Sequence, residues 1–124
     1  MIRIDEGFHG GKYARRYELA KAGDTSHSHR HTFDHHTVLC SRFMVHEEGE
    51  VSAEYGPGTL LVIEAGKLHQ FEALEDRAVY ICTHQLRKPD GSILTDEEAK
   101  GMTLNELRVL TGELTEQLPR EEAA

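Results

Sequence analysis

SHSHRHTFDHHT, Ser26 to Thr37, sets five histidines within twelve residues. How they divide between the faces of the backbone decides what fold can hold them. Successive side chains of a strand point to opposite sides, so His27, His29 and His31 share one face while Ser28 and Arg30 take the other. Imidazoles at i and i+2 stand about 7 Å apart along a strand and can converge on one ion. His29 and His31 meet that condition. His35 follows after a four-residue step that bends the chain, and it keeps their parity. A further ligand has to come from a distant strand, to tie the site into the fold. His69 follows the turn in EAGKLH and is in phase with the apolar Phe71, which turns it inward.

Outward from this stretch, the chain reads as short strands between turn signals, the pattern of a sandwich or barrel. The expected strands are YELA (17–20), HSHRH (27–31), TVLCSRFMVH (37–46), VSAEY (51–55), TLLVIE (59–64), LHQFEA (68–73) and AVYICTHQL (78–86). TLLVIE is continuously apolar and is expected to be buried. Breakers separate them, most clearly Gly56-Pro57-Gly58 and Lys88-Pro89-Asp90-Gly91. After residue 91 the period changes. Thr95-Asp96-Glu97-Glu98 and Thr103-Leu104-Asn105-Glu106 both read as capping boxes. Leu104, Leu107, Leu110, Leu114 and Leu118 make one apolar stripe, so the sequence predicts a C-terminal helix of about four turns ending near Pro119, weakened by Gly112. The expected organisation is a single domain over 1–124, with a barrel at about 13–87 and a helical extension at about 95–118.

The chain has 124 residues and 38% hydrophobic content, enough for one core but not two ordinary domains. Its net charge of −8 argues against nucleic acid or an anionic membrane as partner, since both need a basic face. A small-molecule substrate or ligand is the expected partner. Cys40 and Cys82 lie in apolar runs and read as buried, reduced thiols. No apolar run approaches a membrane span and the N-terminus carries acids where a leader needs an apolar stretch, so a soluble cytoplasmic protein is expected.

The motifs resemble those of the cupin family. The first cupin motif is a glycine, five residues, His-x-His, three or four residues and a further ligand. Gly23, Asp24 to Ser28, His29-Arg30-His31, Thr32-Phe33-Asp34 and His35 follow it. The second is a glycine, five residues, proline, one residue, glycine, two residues and histidine. Gly58, Thr59 to Ile63, Glu64, Ala65, Gly66, Lys67-Leu68 and His69 follow it, with Glu64 in place of the proline. The glycine usual after the first motif is missing at Ser41-Arg42, and the asparagine usual after the second is Ala73. The usual glutamate ligand is a histidine: His35, or His36 if the longer spacing applies, with parity favouring His35. A register shifted to His27 and His29 is the alternative; otherwise His27 stands at the rim and His36 faces away.

The resemblance covers residues 14 to 87. It implies an all-β, jelly-roll-like barrel holding one divalent transition metal, iron, manganese, nickel, zinc or copper, on His29, His31, His35 and His69. It also implies a homodimer, since small cupins often pair through barrel edges. Cupins with three or four histidines include oxygenases, so a dioxygenase-like enzyme acting on a small oxygenated molecule, with iron(II) favoured, is the expected function. Isomerase or lyase chemistry and a non-catalytic binding cupin are the alternatives, since a fold does not settle function. A histidine-rich metal buffer is a third, distinguished by taking up several ions per chain. Tyr80, Cys82 and His84 share one face of their strand. If that face is inward, they line the pocket and His84 becomes a candidate proton-transfer group. Arg42 and Tyr55 are candidates for orienting an anionic substrate.

Overall fold

The computed structural model of the protein describes residues 2–9, 12–31, 34–110 and 114–115. The first eight strands are β1 (Ile2–His9), β2 (Lys12–Leu19), β3 (His29–Arg30), β4 (His35–Leu39), β5 (Phe43–Glu47), β6 (Ala53–Tyr55), β7 (Leu60–Ile63) and β8 (His69–Ala73). After β9 (Ala78–Gln85) come α1 (Asp96–Ala99), α2 (Leu104–Val109) and β10 (Leu114–Thr115). Among the described residues the strands form two five-stranded sheets, ordered β1-β2-β9-β4-β7 and β10-β3-β8-β5-β6. All pairings within them are antiparallel.

The core lies between the sheets and follows from alternation along the strands. In β9, Ala78, Tyr80, Cys82 and His84 are buried while the residues between them are half-buried. Their register carries the inward face to Leu19, Tyr17, Arg15 and Tyr13 of β2 and to Leu39 and Thr37 of β4. Phe43, Val45, Phe71 and Ala73 close the cluster from the other sheet. A second apolar cluster, of Tyr13, Leu86, Leu94, Ala99 and Leu107, seats both helices against one end of the barrel.

Four expectations about the elements are corrected. The first strand is not YELA alone: β2 begins at Lys12 and is paired along its whole length with β1, which the sequence reading left out. Two alternating runs joined by Gly10-Gly11 are a hairpin signal that identifies it. TVLCSRFMVH is not one strand but β4 and β5, which belong to different sheets. The Ser41 hydroxyl accepts the Val79 N–H at 3.0 Å, and the chain turns there, leaving Cys40 exposed rather than buried. TLLVIE is not buried throughout, because β7 is an edge strand whose outer face is uncovered: Leu60 is 63% and Val62 56% exposed.

The helix predicted over about 95–118 is replaced by two short helices and a strand. Both capping boxes form: Glu98 N–H donates to Thr95 Oγ1 and Glu106 N–H to Thr103 Oγ1, each at 3.2 Å. The second helix stops at Val109, and Leu114–Thr115 pairs with Arg30 and His29. The open edge of β3 offers backbone partners that a helix does not use. Residues 111–113 and 116–118 of the expected helix lie outside the described residues. Among the described residues, no helix is long and apolar enough to cross a membrane.

Candidate metal centre

The two motifs meet through their backbones. Gly66, at φ +77°, turns the chain before β8, a conformation that side-chain-bearing residues rarely adopt. Its N–H donates to the carbonyl of His31 at 2.8 Å, and the neighbouring Ala65 N–H donates to Asp34 Oδ1 at 2.8 Å. Asp34 therefore pins the second turn to the first motif. The Glu64 that replaces a proline is exposed and leaves this turn intact, with its carbonyl accepting the Lys67 N–H at 3.2 Å. Thr32 and Phe33 of the first motif lie outside the described residues.

These contacts bring His29 directly opposite His69 in the β3–β8 register. Their ring centroids are 4.4 Å apart, His31 lies 5.2 Å from His29, and His35 lies 4.2 Å from His31 and 5.0 Å from His69. His29, His31 and His69 each offer a nitrogen, and these nitrogens lie within 4.8 Å of one another. All four imidazoles are buried. His27 and His36 are exposed, as their expected rim and outward positions require, whereas Ser28 is buried although its parity opposes the histidines.

Hydrogen bonds fix two of the tautomers. His29 Nδ1 donates to the His27 carbonyl at 2.8 Å and His69 Nδ1 to the Lys67 carbonyl at 3.0 Å, because a carbonyl only accepts. The Nε2 lone pair of each ring is therefore available, as in histidines that bind metal while their other nitrogen holds a backbone carbonyl. His69 Nε2 and both ring nitrogens of His35 have no hydrogen-bond partner among the described residues. A buried polar atom without a partner costs about 1–3 kcal/mol. Burial, followed by the other four buried histidines, pushes the His35 pKa down to about 2. Burial and the neighbouring His29 push His69 down to about 4. Neutral imidazoles with unpartnered nitrogens fit a divalent transition metal.

His84 is also inside. It is buried, with its ring 5.6 Å from His31 and 5.6 Å from Tyr13, and burial followed by the charge of Arg15 lowers its pKa to about 4. Tyr80 shares its face and is fully buried, stacked on Tyr17 at 4.6 Å and packed against Phe43 and Phe71. Arg42 and Tyr55 lie away from the histidines, on the surface. Both are exposed, and the Arg42 guanidinium donates to Glu54 at 2.8 Å on the surface, because Arg42 lies in the turn between sheets. The residues that sequence reasoning missed are Glu6 and Arg15, which face each other across β1 and β2 on the inward side. The signal was the parity of Tyr13, Arg15, Tyr17 and Leu19 in KYARRYEL.

No protein-family model and no curated protein matches the chain. Solved structures do. KdgF from Halomonas sp. is 24% identical, with 72% of this chain covering 82% of that one at a TM-score of 0.61. The chain has the cupin fold. A cupin-2 domain from Rhodospirillum rubrum is similar at 20% identity, over 87% of this chain and 72% of that one, with a TM-score of 0.61. The DMSP lyase DddQ from Ruegeria pomeroyi DSS-3 is similar at 11% identity, over 78% of this chain and 52% of that one, with a TM-score of 0.60. The paired sheets and the two joined motifs are thus cupin architecture, and the histidine cluster lies where the motifs meet.

Proposed function

We propose that this cupin is a metal-dependent enzyme acting on a small oxygenated organic molecule, with His29, His31, His35 and His69 holding one divalent transition metal ion. The observation that carries the reading is the convergence of buried imidazoles: His29, His31 and His69 offer nitrogens within 4.8 Å of one another, and His35 packs against them with both ring nitrogens unpartnered among the described residues. Such an ion supplies Lewis acidity and an open coordination position for substrate. With no carboxylate among the four ligands, its charge is not offset, which favours substrates that present an oxygen lone pair. Iron(II) and oxygen-dependent cleavage lead this reading. The similarity to a lyase supports metal-assisted elimination as the second.

His84 is proposed as the proton-transfer group. It lies beside His31 and is held neutral, so it can accept a proton from a bound substrate. Two residues back along β9, the buried Cys82 thiol is hydrogen-bonded to the Thr37 hydroxyl at 3.2 Å. A homodimer in the cytoplasm is the proposed setting. Elemental analysis of protein purified without added metal tests the assignment: one equivalent per chain is expected, falling to background in His31→Ala. Equal metal in both proteins would remove the site, and several equivalents would favour a buffer. Oxygen uptake and product analysis over a panel of diketones, thiols and hydroxy acids then separate cleavage from elimination.

A further inference from the structure

The β1–β2 hairpin turns a graded face inward. Directly paired residues of an antiparallel ladder share a face, and here they are Ile2 with Leu19, Ile4 with Tyr17 and Glu6 with Arg15. The first two rungs are apolar. The third carries charges that meet each other, with Arg15 Nε 3.8 Å from Glu6 Oε2 and Arg15 Nη1 donating to the Tyr17 hydroxyl at 3.2 Å. A cavity of about 60 Å³ lies against this face, bounded by Ile2, Ile4 and Tyr17 of the hairpin and by Ser26, His27 and His29 of the segment leading into β3. Arg15 borders it at the charged rung. The polar groups of the lining are committed to the fold. Ser26 N–H donates to the Phe71 carbonyl, its Oγ accepts the Phe71 N–H and its carbonyl accepts from Gln70 Nε2, each at 2.9 Å. The His27 carbonyl accepts from His29 Nδ1 at 2.8 Å. Apolar surface, by contrast, is left uncovered: Ile4 is 45% exposed although the Tyr17 opposite it is 6% exposed.

We propose that this cavity receives the short aliphatic end of the substrate, a neutral oxygenated molecule whose oxygen end meets the histidine cluster at His29. The inference rests on that cluster being a metal-dependent site, and it names the class of substrate the site takes. Polarity selects an apolar occupant. A water needs roughly two to four polar partners, and the hydrogen bonds of Ser26, His27, Arg15 and Tyr17 are made within the protein. Charge selects a neutral one, because Glu6 already stands against Arg15 and a further carboxylate would be buried without a cation to offset it. Size sets the length: at about 10–15 Å³ per water-sized group the cavity admits roughly four to six such groups, so a chain of about four carbons fills it. Exposure supplies the driving force, since an aliphatic chain lying on Ile4 takes its own surface and that of Ile4 out of water together.

Straight-chain alcohols from ethanol to hexanol test this on the full chain stripped of metal with a chelator, followed by the methyl shifts of Ile2 and Ile4 in NMR titration. Affinity is expected to rise about fourfold with each added methylene up to butanol, and to gain less than about twofold from butanol to hexanol. 2-Methoxyethanol, in which an ether oxygen replaces one methylene of butanol, should bind at least about fivefold more weakly, because apolar walls leave that oxygen without the hydrogen bond it has in water. Ile4→Thr keeps a β-branched shape suited to the strand and places a hydroxyl on the cavity wall, so its gain per methylene is expected to fall below about twofold. Leu60→Thr, at the exposed edge of β7, should keep the wild-type gain. Should Ile4→Thr loosen the hairpin, the wild-type series and the ether comparison still decide. Affinity that is undetectable or independent of chain length in the wild type, that climbs without a break to hexanol, that is equal for butanol and the ether, or that is unchanged in a folded Ile4→Thr overturns the proposal. Zinc stoichiometry on the same samples separates this from the metal assignment. Alcohol binding with the expected gain in protein that takes up no zinc removes the metal site and leaves the aliphatic site standing, whereas zinc uptake without the gain removes the aliphatic site alone.

Discussion

His35 and His36 are adjacent in sequence and opposite in fate, one buried against three other imidazoles and the other exposed on the outer face. His35→Ala is therefore expected to weaken zinc binding by at least about 100-fold, beyond the cost of losing a partner of a ligand. His36→Ala should leave it unchanged; competition with a chelating dye measures both. A comparable loss in His36→Ala would move the ligand to the longer motif spacing. The depressed pKa values set a pH window for the metal-free protein. Folded His69 and His84 stay neutral down to about 4, and His35 to about 2, whereas each takes up a proton near 6.5 when unfolded. The unfolded chain then binds more protons below pH 6.5, so stability falls as pH drops, by about 1.4 kcal/mol per unit for each group. Urea midpoints at pH 7, 6 and 5 should decline steeply, and bound metal should be released only as the chain unfolds, because the unfolded histidines take up the protons while the folded ones stay neutral. A flat profile would mean that these imidazoles are not desolvated. The four histidines were legible in the sequence because parity and motif spacing are local properties. Arg15 was not: its inward direction depends on a strand beginning at Lys12, a boundary that no breaker marks beyond Gly10-Gly11.

The elements after β9 show where local pattern stops predicting. Both capping boxes form as written, because each needs only four consecutive residues. The leucine stripe does not become one helix, since the choice between continuing α2 and pairing with β3 depends on an edge contributed by residues 29 and 30. The same holds for TVLCSRFMVH, where nothing in the run announces that Ser41 will accept the Val79 amide and divide it between sheets. Leu107 carries the docking of α2: it is 5% exposed and packs in the cluster with Tyr13, Leu86, Leu94 and Ala99. Leu107→Ala is expected to destabilise the protein by about 2–4 kcal/mol, read from urea denaturation, as for other buried leucines. Because Tyr13 also stands 5.6 Å from His84, the loosened cluster should raise solvent exchange at His84 while leaving zinc stoichiometry at the wild-type value. A loss below about 1 kcal/mol would mean that the helices are only lightly attached to the barrel.

At the scale of the whole molecule, the outer face of the β1-β2-β9-β4-β7 sheet is unevenly divided. Toward β1 it is charged, with Arg16 set against Asp5 at 3.5 Å and Glu18 at 3.2 Å. Toward β7 it is apolar: Leu60 stands opposite Val38, which stands opposite Ile81, and exposed Val62 lies one step along the edge. Large apolar side chains grouped on an edge strand favour association, and pairing two copies there covers both the methyl groups and the open backbone edge. This is the face through which the proposed homodimer is expected to form, since a stable interface needs about 800 Å² from each partner and this sheet offers a continuous surface. The Leu60→Asp/Val62→Asp double variant should elute as a monomer where the wild type elutes as a dimer, with mass measured by light scattering at equal concentration. Metal content should stay the same, because Leu60 and Val62 face away from the histidines, while the inward neighbour Ile63 is untouched. A dimer that survives the substitution would place the contact elsewhere. A wild-type monomer would leave the apolar edge as surface that this protein tolerates without a partner.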